Sequence, residues 1–110
     1  VEKDYNKAFE LYEKAAELGN ATAFFNHALS YERGTGVEKD YKKAIELYEK
    51  AAELGYASAF YNIALCFEKG KGVEKDITKA IEYYEKAAEL GNARALNNLG
   101  QCYRKGKQVE

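Results

Sequence analysis

Residues 59–76 read AFYNIALCFEKGKGVEKD, and this stretch joins the end of one predicted helix to the start of the next. Related strings occur 36 residues earlier, at 23–40, and 36 residues later, from residue 95 onward. A fixed period of this length indicates supersecondary units that stack on one another and share a continuous core. The chain of 110 residues contains three such periods and two further residues, Val109 and Glu110.

Each period contains two segments whose apolar residues are three and four positions apart, which is the spacing of an amphipathic helix. The first segment follows Asp4 and stops at Gly19, and the second stops at Gly34. Aspartate is a good N-cap, and glycine readily adopts the left-handed conformation that ends a helix. The sequence therefore predicts an all-α fold of six helices, near residues 4–18, 21–33, 40–54, 57–69, 76–90 and 93–105.

Composition excludes several classes of protein. Hydrophobic residues make up 46% and charged residues 32% of the chain, which is typical of a folded protein. No apolar run approaches the roughly 20 residues that span a bilayer. The net charge of −1 gives no general attraction for nucleic acid or anionic membranes, so we expect neither partner. The lack of a targeting segment, and the expectation that Cys66 and Cys102 stay reduced, favour a cytoplasmic location.

The candidate catalytic residues do not form a catalytic pattern. His27 is the only histidine, and it stands at the repeat position of Ile63 and Leu99, which predicts a core substitute for an aliphatic residue. The glycine-containing loops at 34–36 and 70–72 do not match a dinucleotide-binding pattern. The sequence contains no nucleophile–base–acid set and no cluster of metal ligands. It therefore predicts no enzyme, no cofactor, and no catalytic or metal site.

The small, aromatic and glycine residues of 59–76, followed by Lys79-Ala80 and by Tyr84 to Gly91, resemble the Sel1-like repeat, a relative of the tetratricopeptide repeat. The resemblance implies a right-handed α-solenoid of antiparallel helices that acts as a scaffold or adaptor for protein complexes, without catalysis. In that family the tyrosine- and asparagine-containing helix is helix A, and the lysine–alanine helix is helix B. The family register divides the chain into half repeat 1–20, full repeats 21–56 and 57–92, and half repeat 93–110.

Helix A lines a concave peptide-binding groove in the related tetratricopeptide repeats. The resemblance places in this groove Phe25, Asn26, Leu29, Ser58, Tyr61, Asn62, Leu65, Arg94, Asn98 and Gln101. One asparagine recurs in every copy, and its amide can donate to and accept from an extended peptide backbone. Two interpretations stay open: these asparagines bind a ligand, or they bond within the scaffold. The expected function is a protein-interaction module whose partner is a protein or peptide.

The outer helices suggest an alternative function. Repeat arrays normally finish in polar capping helices, and neither 4–18 nor 93–105 has that composition. Apolar residues on these helices are expected to form two complementary end faces, made of Tyr5, Phe9, Tyr12, Leu96, Leu99 and Tyr103. Contacts between unlike faces are heterologous and can propagate from copy to copy. The alternative is therefore a structural, designed or resected repeat unit without a ligand, which associates with itself head to tail.

Overall fold

The computed structural model describes residues 3–106, and this range contains six α-helices, as the sequence predicted. They are α1 (Tyr5–Glu17), α2 (Ala21–Arg33), α3 (Tyr41–Glu53), α4 (Ala57–Lys69), α5 (Ile77–Glu89) and α6 (Ala93–Arg104). Helices α2, α4 and α6 are the predicted A helices, and α1, α3 and α5 are the B helices. Val109, Glu110 and the last residues of the predicted half repeat 93–110 lie outside the described range.

The B helices are one residue shorter at each end than predicted. Asp4 has an extended backbone, with φ −127° and ψ 91°, and its side chain accepts a hydrogen bond from the Lys7 N–H at 3.0 Å. It therefore caps α1 from outside the helix, and Asp40 and Asp76 do the same for α3 and α5. At the other end Leu18 is the C-cap, and the left-handed Gly19 that follows has φ +84°.

The A helices begin at asparagine caps in two of their three copies. Asn20 accepts a hydrogen bond from the backbone of Ala23, and Asn92 accepts one from Ala95, both at 2.9 Å. Tyr56 stands at this position before α4, and its ring packs 4.9 Å from the ring of Phe25. Because a tyrosine hydroxyl is too far from its own backbone to cap the first turn, α4 begins without the asparagine cap of α2 and α6.

The helices divide into two compact units, residues 1–56 with α1 to α3 and residues 57–110 with α4 to α6. In the first unit α2 packs against both α1 and α3. Ala28 of α2 and Ala44 and Ala51 of α3 have no exposed surface, which allows these two helices to approach closely. Tyr48 is fully buried beside them.

The second unit repeats this arrangement, with α5 packed against both α4 and α6. One cluster of its buried residues consists of Ala64, Ala80, Ile81, Tyr84, Ala87, Ala95 and Cys102. The rings of Phe67 and Tyr83 stack beside this cluster with their centroids 5.6 Å apart. Cys66 and Cys102 are both buried, so they serve as small apolar side chains in the packing.

None of the helices within residues 3–106 has both the length and the apolar character that a membrane crossing requires.

Candidate functional site

In the first unit, the predicted groove residues Phe25, Asn26 and Leu29 are all half-buried on α2. The Phe25 ring lies 5.5 Å from the ring of Tyr48 and 4.9 Å from that of Tyr56. Part of this aromatic surface is therefore used to hold α2 against α3. The remaining exposed part is available for contact with another molecule.

In the second unit, α4 and α6 carry the other seven predicted groove residues. Ser58, Tyr61, Asn62 and Leu65 are half-buried on α4, and the Tyr61 ring lies 5.8 Å from that of Tyr84. On α6, Arg94 and Gln101 are exposed and Asn98 is half-buried. The α4 positions thus combine apolar and polar groups at a partly covered surface, while the α6 positions are more polar and more accessible.

The recurring asparagine has a scaffold role in at least one copy. The Asn98 amide nitrogen donates to the Tyr84 hydroxyl oxygen at 3.0 Å, and that hydroxyl donates to Glu68 Oε1 at 2.6 Å. Burial, followed by the hydrogen bond to Glu68, raises the pKa of Tyr84 far above its ordinary value. Tyr84 therefore stays protonated and links α4, α5 and α6 through one hydroxyl group.

The same tyrosine–glutamate hydrogen bond occurs in the first unit. The Tyr48 hydroxyl of α3 donates to Glu32 Oε1 of α2 at 2.5 Å. Tyr48 and Tyr84 are 36 residues apart, as are Glu32 and Glu68. The repeat thus contains a fixed polar contact in which a B-helix tyrosine donates to a carboxylate of the preceding A helix. At the next repeat position, α6 carries Arg104 in place of glutamate.

The six predicted end-face residues differ in accessibility. Tyr5 on α1 is 50% exposed, and Leu96 and Tyr103 on α6 are 59% and 60% exposed. Phe9, by contrast, is turned toward its own unit, where its ring packs 4.8 Å from His27 and 5.5 Å from Tyr31. The two remaining members, Tyr12 and Leu99, are half-buried.

A cavity of about 360 Å³ lies between α1 and α2 in the first unit. Its lining consists of Tyr5, Ala8, Tyr12, Asn26, Leu29, Ser30, Arg33 and Thr35. It therefore joins residues that the sequence assigned to two different sites, the peptide groove and the end face. The sequence alone does not bring these residues together, because Tyr12 and Asn26 belong to different helices.

The solitary histidine lies in the core position that the sequence predicted. His27 is 7% exposed, and neither ring nitrogen has a hydrogen-bond partner among residues 3–106. Burial lowers its pKa, Glu13 opposes this effect, and Lys43 adds to it. The aromatic contacts on its ring fit a packing role.

The comparisons with known proteins agree with this architecture. The sequence profile of the Sel1 repeat matches residues 1–20, 23–56, 57–92 and 93–110. No curated protein matches the sequence significantly.

Solved structures with sequence identities of 32% to 39% have the same fold. The crystal structure of a Sel1 repeat protein from Oxalobacter formigenes matches the whole chain with 39% identity and a TM-score of 0.93. The protective antigen c5321 of uropathogenic Escherichia coli, which displays an SLR fold, matches it with 37% identity and a TM-score of 0.94. The chain spans only 45% and 24% of those two proteins.

A third structure, cysteine rich protein B of Helicobacter pylori, matches 88% of the chain with 32% identity and a TM-score of 0.81, and the match covers 73% of that protein. The repeat profile, the identities and the all-α architecture agree along the chain. This chain belongs to the Sel1 repeat family.

Proposed function

We propose that this chain is a protein-interaction module that binds an extended peptide or protein segment along the exposed side of its A helices. Sel1 repeat proteins are generally scaffolds for protein interactions, and the family is generally non-catalytic. The observation that carries the finer proposal is the half-buried ring of Tyr61 next to the half-buried amide of Asn62 on α4. A ring supplies rigid contact area, and an amide matches both the donors and the acceptors of a peptide backbone.

The A helices differ in what they offer a ligand. Phe25 of α2 and Tyr61 of α4 occupy one repeat position, and α6 has the exposed Asn97 there. The exposed Arg94 adds a positive charge to α6, which can pair with a carboxylate of the ligand. Within the second unit, we infer that α4 contacts apolar side chains of the bound segment and that α6 contacts polar or acidic ones.

Replacing Tyr61 and Asn62 together by alanine is expected to weaken selective peptide binding by at least about tenfold, because a central aromatic anchor and its polar neighbour often dominate an interface. A peptide array probed with labelled protein, followed by titration of the best peptides, measures the loss. Glu82→Ala, at an exposed position on α5, is the matched control and should bind like the original chain.

The helical circular dichroism of all three proteins is recorded alongside, because Tyr61 also packs against Tyr84. Unchanged affinity in a folded double variant would contradict the groove proposal. An array without any selective peptide would also contradict it and would favour the alternative of a repeat unit without a ligand.

The alternative function is head-to-tail association of copies of this chain. Three exposed apolar side chains favour it, Leu96 and Tyr103 on α6 and Tyr5 on α1. Contact between copies would remove their apolar surface from water. The equivalent contact within the chain is the packing of α2 on α3, in which the Glu32 carboxylate accepts a hydrogen bond from the Tyr48 hydroxyl. Arg104 cannot accept that hydrogen bond, so contact of α6 with Tyr12 of another copy would lack it.

Arg104→Glu is accordingly expected to strengthen self-association by about tenfold or more, because it supplies the missing carboxylate acceptor. Sedimentation velocity over a range of concentrations at constant salt measures the effect. Arg104→Gln removes the positive charge without adding a carboxylate and should give a smaller change. Head-to-tail stacking in this register is wrong if the glutamate and glutamine variants sediment alike.

A further inference from the structure

The acidic residues of this chain are divided unequally between its two kinds of helix. Each B helix carries three glutamates, whereas α2 and α4 carry one each and α6 carries none. Both A-helix glutamates already accept a hydrogen bond, Glu32 from Tyr48 and Glu68 from Tyr84. The A helices also carry basic residues, so their surface attracts negative charge although the whole chain has a net charge of −1.

One face of α6 combines exposed cations with amide groups. Its members are spaced at four, three and four positions, as expected along one side of a helix, and they are Arg94, Asn98, Gln101 and Lys105. All of them except the half-buried Asn98 are exposed. Within residues 3–106, neither Arg94 nor Lys105 forms an ion pair with a carboxylate. Both positive charges are therefore available to a ligand.

This face of α6 is joined to α4 by hydrogen bonds within the second unit. The Asn98 amide donates to the Tyr84 hydroxyl, and that hydroxyl donates to Glu68 of α4. At the start of α6, the Asn92 side-chain nitrogen donates to the Ser58 hydroxyl of α4 at 3.5 Å. A ligand that contacts the half-buried side chains of α4 can therefore also reach the cations of α6.

Arg94 is not explained by the stability of α6. It stands in the first turn of the helix, where the free backbone N–H groups carry partial positive charge and a cation is unfavourable. Thr22 and Ser58 occupy the same position in α2 and α4. Lys105, by contrast, follows the last turn, where a cation is favourable. A ligand carboxylate would give Arg94 a partner, because a guanidinium can donate two parallel hydrogen bonds to it.

We propose that the A-helix surface of the second unit selects an extended protein segment rich in aspartate and glutamate, and that Arg94 and Lys105 pair with its acidic side chains. This inference rests on the proposed function and deepens it by naming the chemistry of the ligand. The two cations are about 16 Å apart along the helix axis, so they contact separate carboxylates. Tyr61 and Asn62 bind the backbone and an apolar side chain, while the cations set the preference for acidic segments.

The probes for this proposal are blocked peptides that join an apolar segment of leucine and tyrosine to a run of glutamates, in either order. Each peptide is also made with glutamine in place of every glutamate, and the blocked ends leave side chains as the only carboxylates. Fluorescence polarisation at about 50 mM salt should show about tenfold tighter binding of the glutamate form. The preference should fall to about threefold or less at about 0.5 M salt, because salt screens exposed charges.

Three variants of the chain test the assigned cations. Arg94→Ser supplies the residue type of Ser58 and should reduce the preference to about threefold or less. It should not lower the urea midpoint of unfolding, because it removes a cation from the positive end of α6. Lys105→Gln should reduce the preference in the same way. Lys86→Gln removes an equal charge from an exposed position on α5, so it is the matched control and should keep the full preference.

Equal affinity for the glutamate and glutamine peptides, or an unchanged preference in Arg94→Ser, would overturn the proposal. A preference lost equally in Lys86→Gln would also overturn it, because the preference would then follow the total charge of the chain. A short single-stranded oligonucleotide that competes as well as the glutamate peptide would assign the cations to nucleic acid instead.

The same measurements separate this inference from the groove proposal. If the original chain binds peptides through Tyr61 and Asn62 but does not distinguish glutamate from glutamine, only the acidic preference is wrong. If it binds neither form and no peptide of the array, the groove proposal fails as well.

Discussion

Gly36→Ala is expected to destabilise the first unit by about 3–5 kcal/mol, which is a large share of the 5–15 kcal/mol that typically stabilises a small domain. A Cβ atom at Gly36 would lie 2.3 Å from the Tyr5 carbonyl oxygen and 2.7 Å from its carbon. Both are backbone atoms at the start of α1, so no side-chain rotation can relieve the overlap. The φ angle of +80° adds the strain of a left-handed conformation.

Gly19→Ala is the matched control for this change. Gly19 belongs to the same unit and has φ +84°, but a Cβ atom there would meet nothing within 4 Å. It should therefore cost only the conformational penalty of about 1–2 kcal/mol. Urea unfolding followed by circular dichroism gives the free energy of unfolding of each variant. Equal losses in the two variants would show that the contact with Tyr5 does not matter.

The helices could be predicted because their ends depend on neighbouring residues. An aspartate or asparagine accepts a hydrogen bond from the backbone three residues later, and a left-handed glycine ends the helix, so each boundary is encoded within a few positions. The B helices are shorter than predicted only because Asp4 and Leu18 act as caps rather than helical residues. Repetition of these signals in three copies made the assignment secure.

The site was harder to predict because its contacts join residues on different helices. The sequence shows that an asparagine recurs, but it does not show that the Asn98 amide points to Tyr84. Phe9 and Tyr5 have the same apolar character in sequence, yet Phe9 packs on His27 while Tyr5 is half exposed. The change from glutamate to Arg104 was visible in the sequence, but its meaning depends on the Tyr84–Glu68 hydrogen bond.

Acidification below about pH 6.5 is expected to destabilise the first unit through His27. Its ring is packed against Phe9 and Tyr31, and both nitrogens lack hydrogen-bond partners in the described part of the chain. Burial lowers the pKa of His27 below its ordinary value of 6.5, because the charged form would lose its hydration. The nearby Glu13 opposes this lowering of the pKa, and Lys43 reinforces it.

The direction of the effect follows from proton binding. Below pH 6.5 the unfolded chain takes up a proton on His27, while the folded chain does so only when the pH reaches the lowered pKa. Within that window the unfolded state binds more protons, so the free energy of unfolding falls as the pH falls, by at most about 1.4 kcal/mol per pH unit. Below the lowered pKa both states are protonated, and this contribution falls no further.

His27→Ile tests this expectation, because Ile63 occupies the same repeat position in the second unit with no exposed surface. The variant should be more stable at pH 7 by about 1–3 kcal/mol, since two buried unpartnered nitrogens are removed. It should also lose less stability than the original chain between pH 7 and pH 5, a range above the ordinary pKa of carboxylates. Urea unfolding at both pH values provides the comparison. If the two proteins lose the same free energy of unfolding on acidification, His27 is not the titrating group, because the isoleucine variant retains every carboxylate of the original chain.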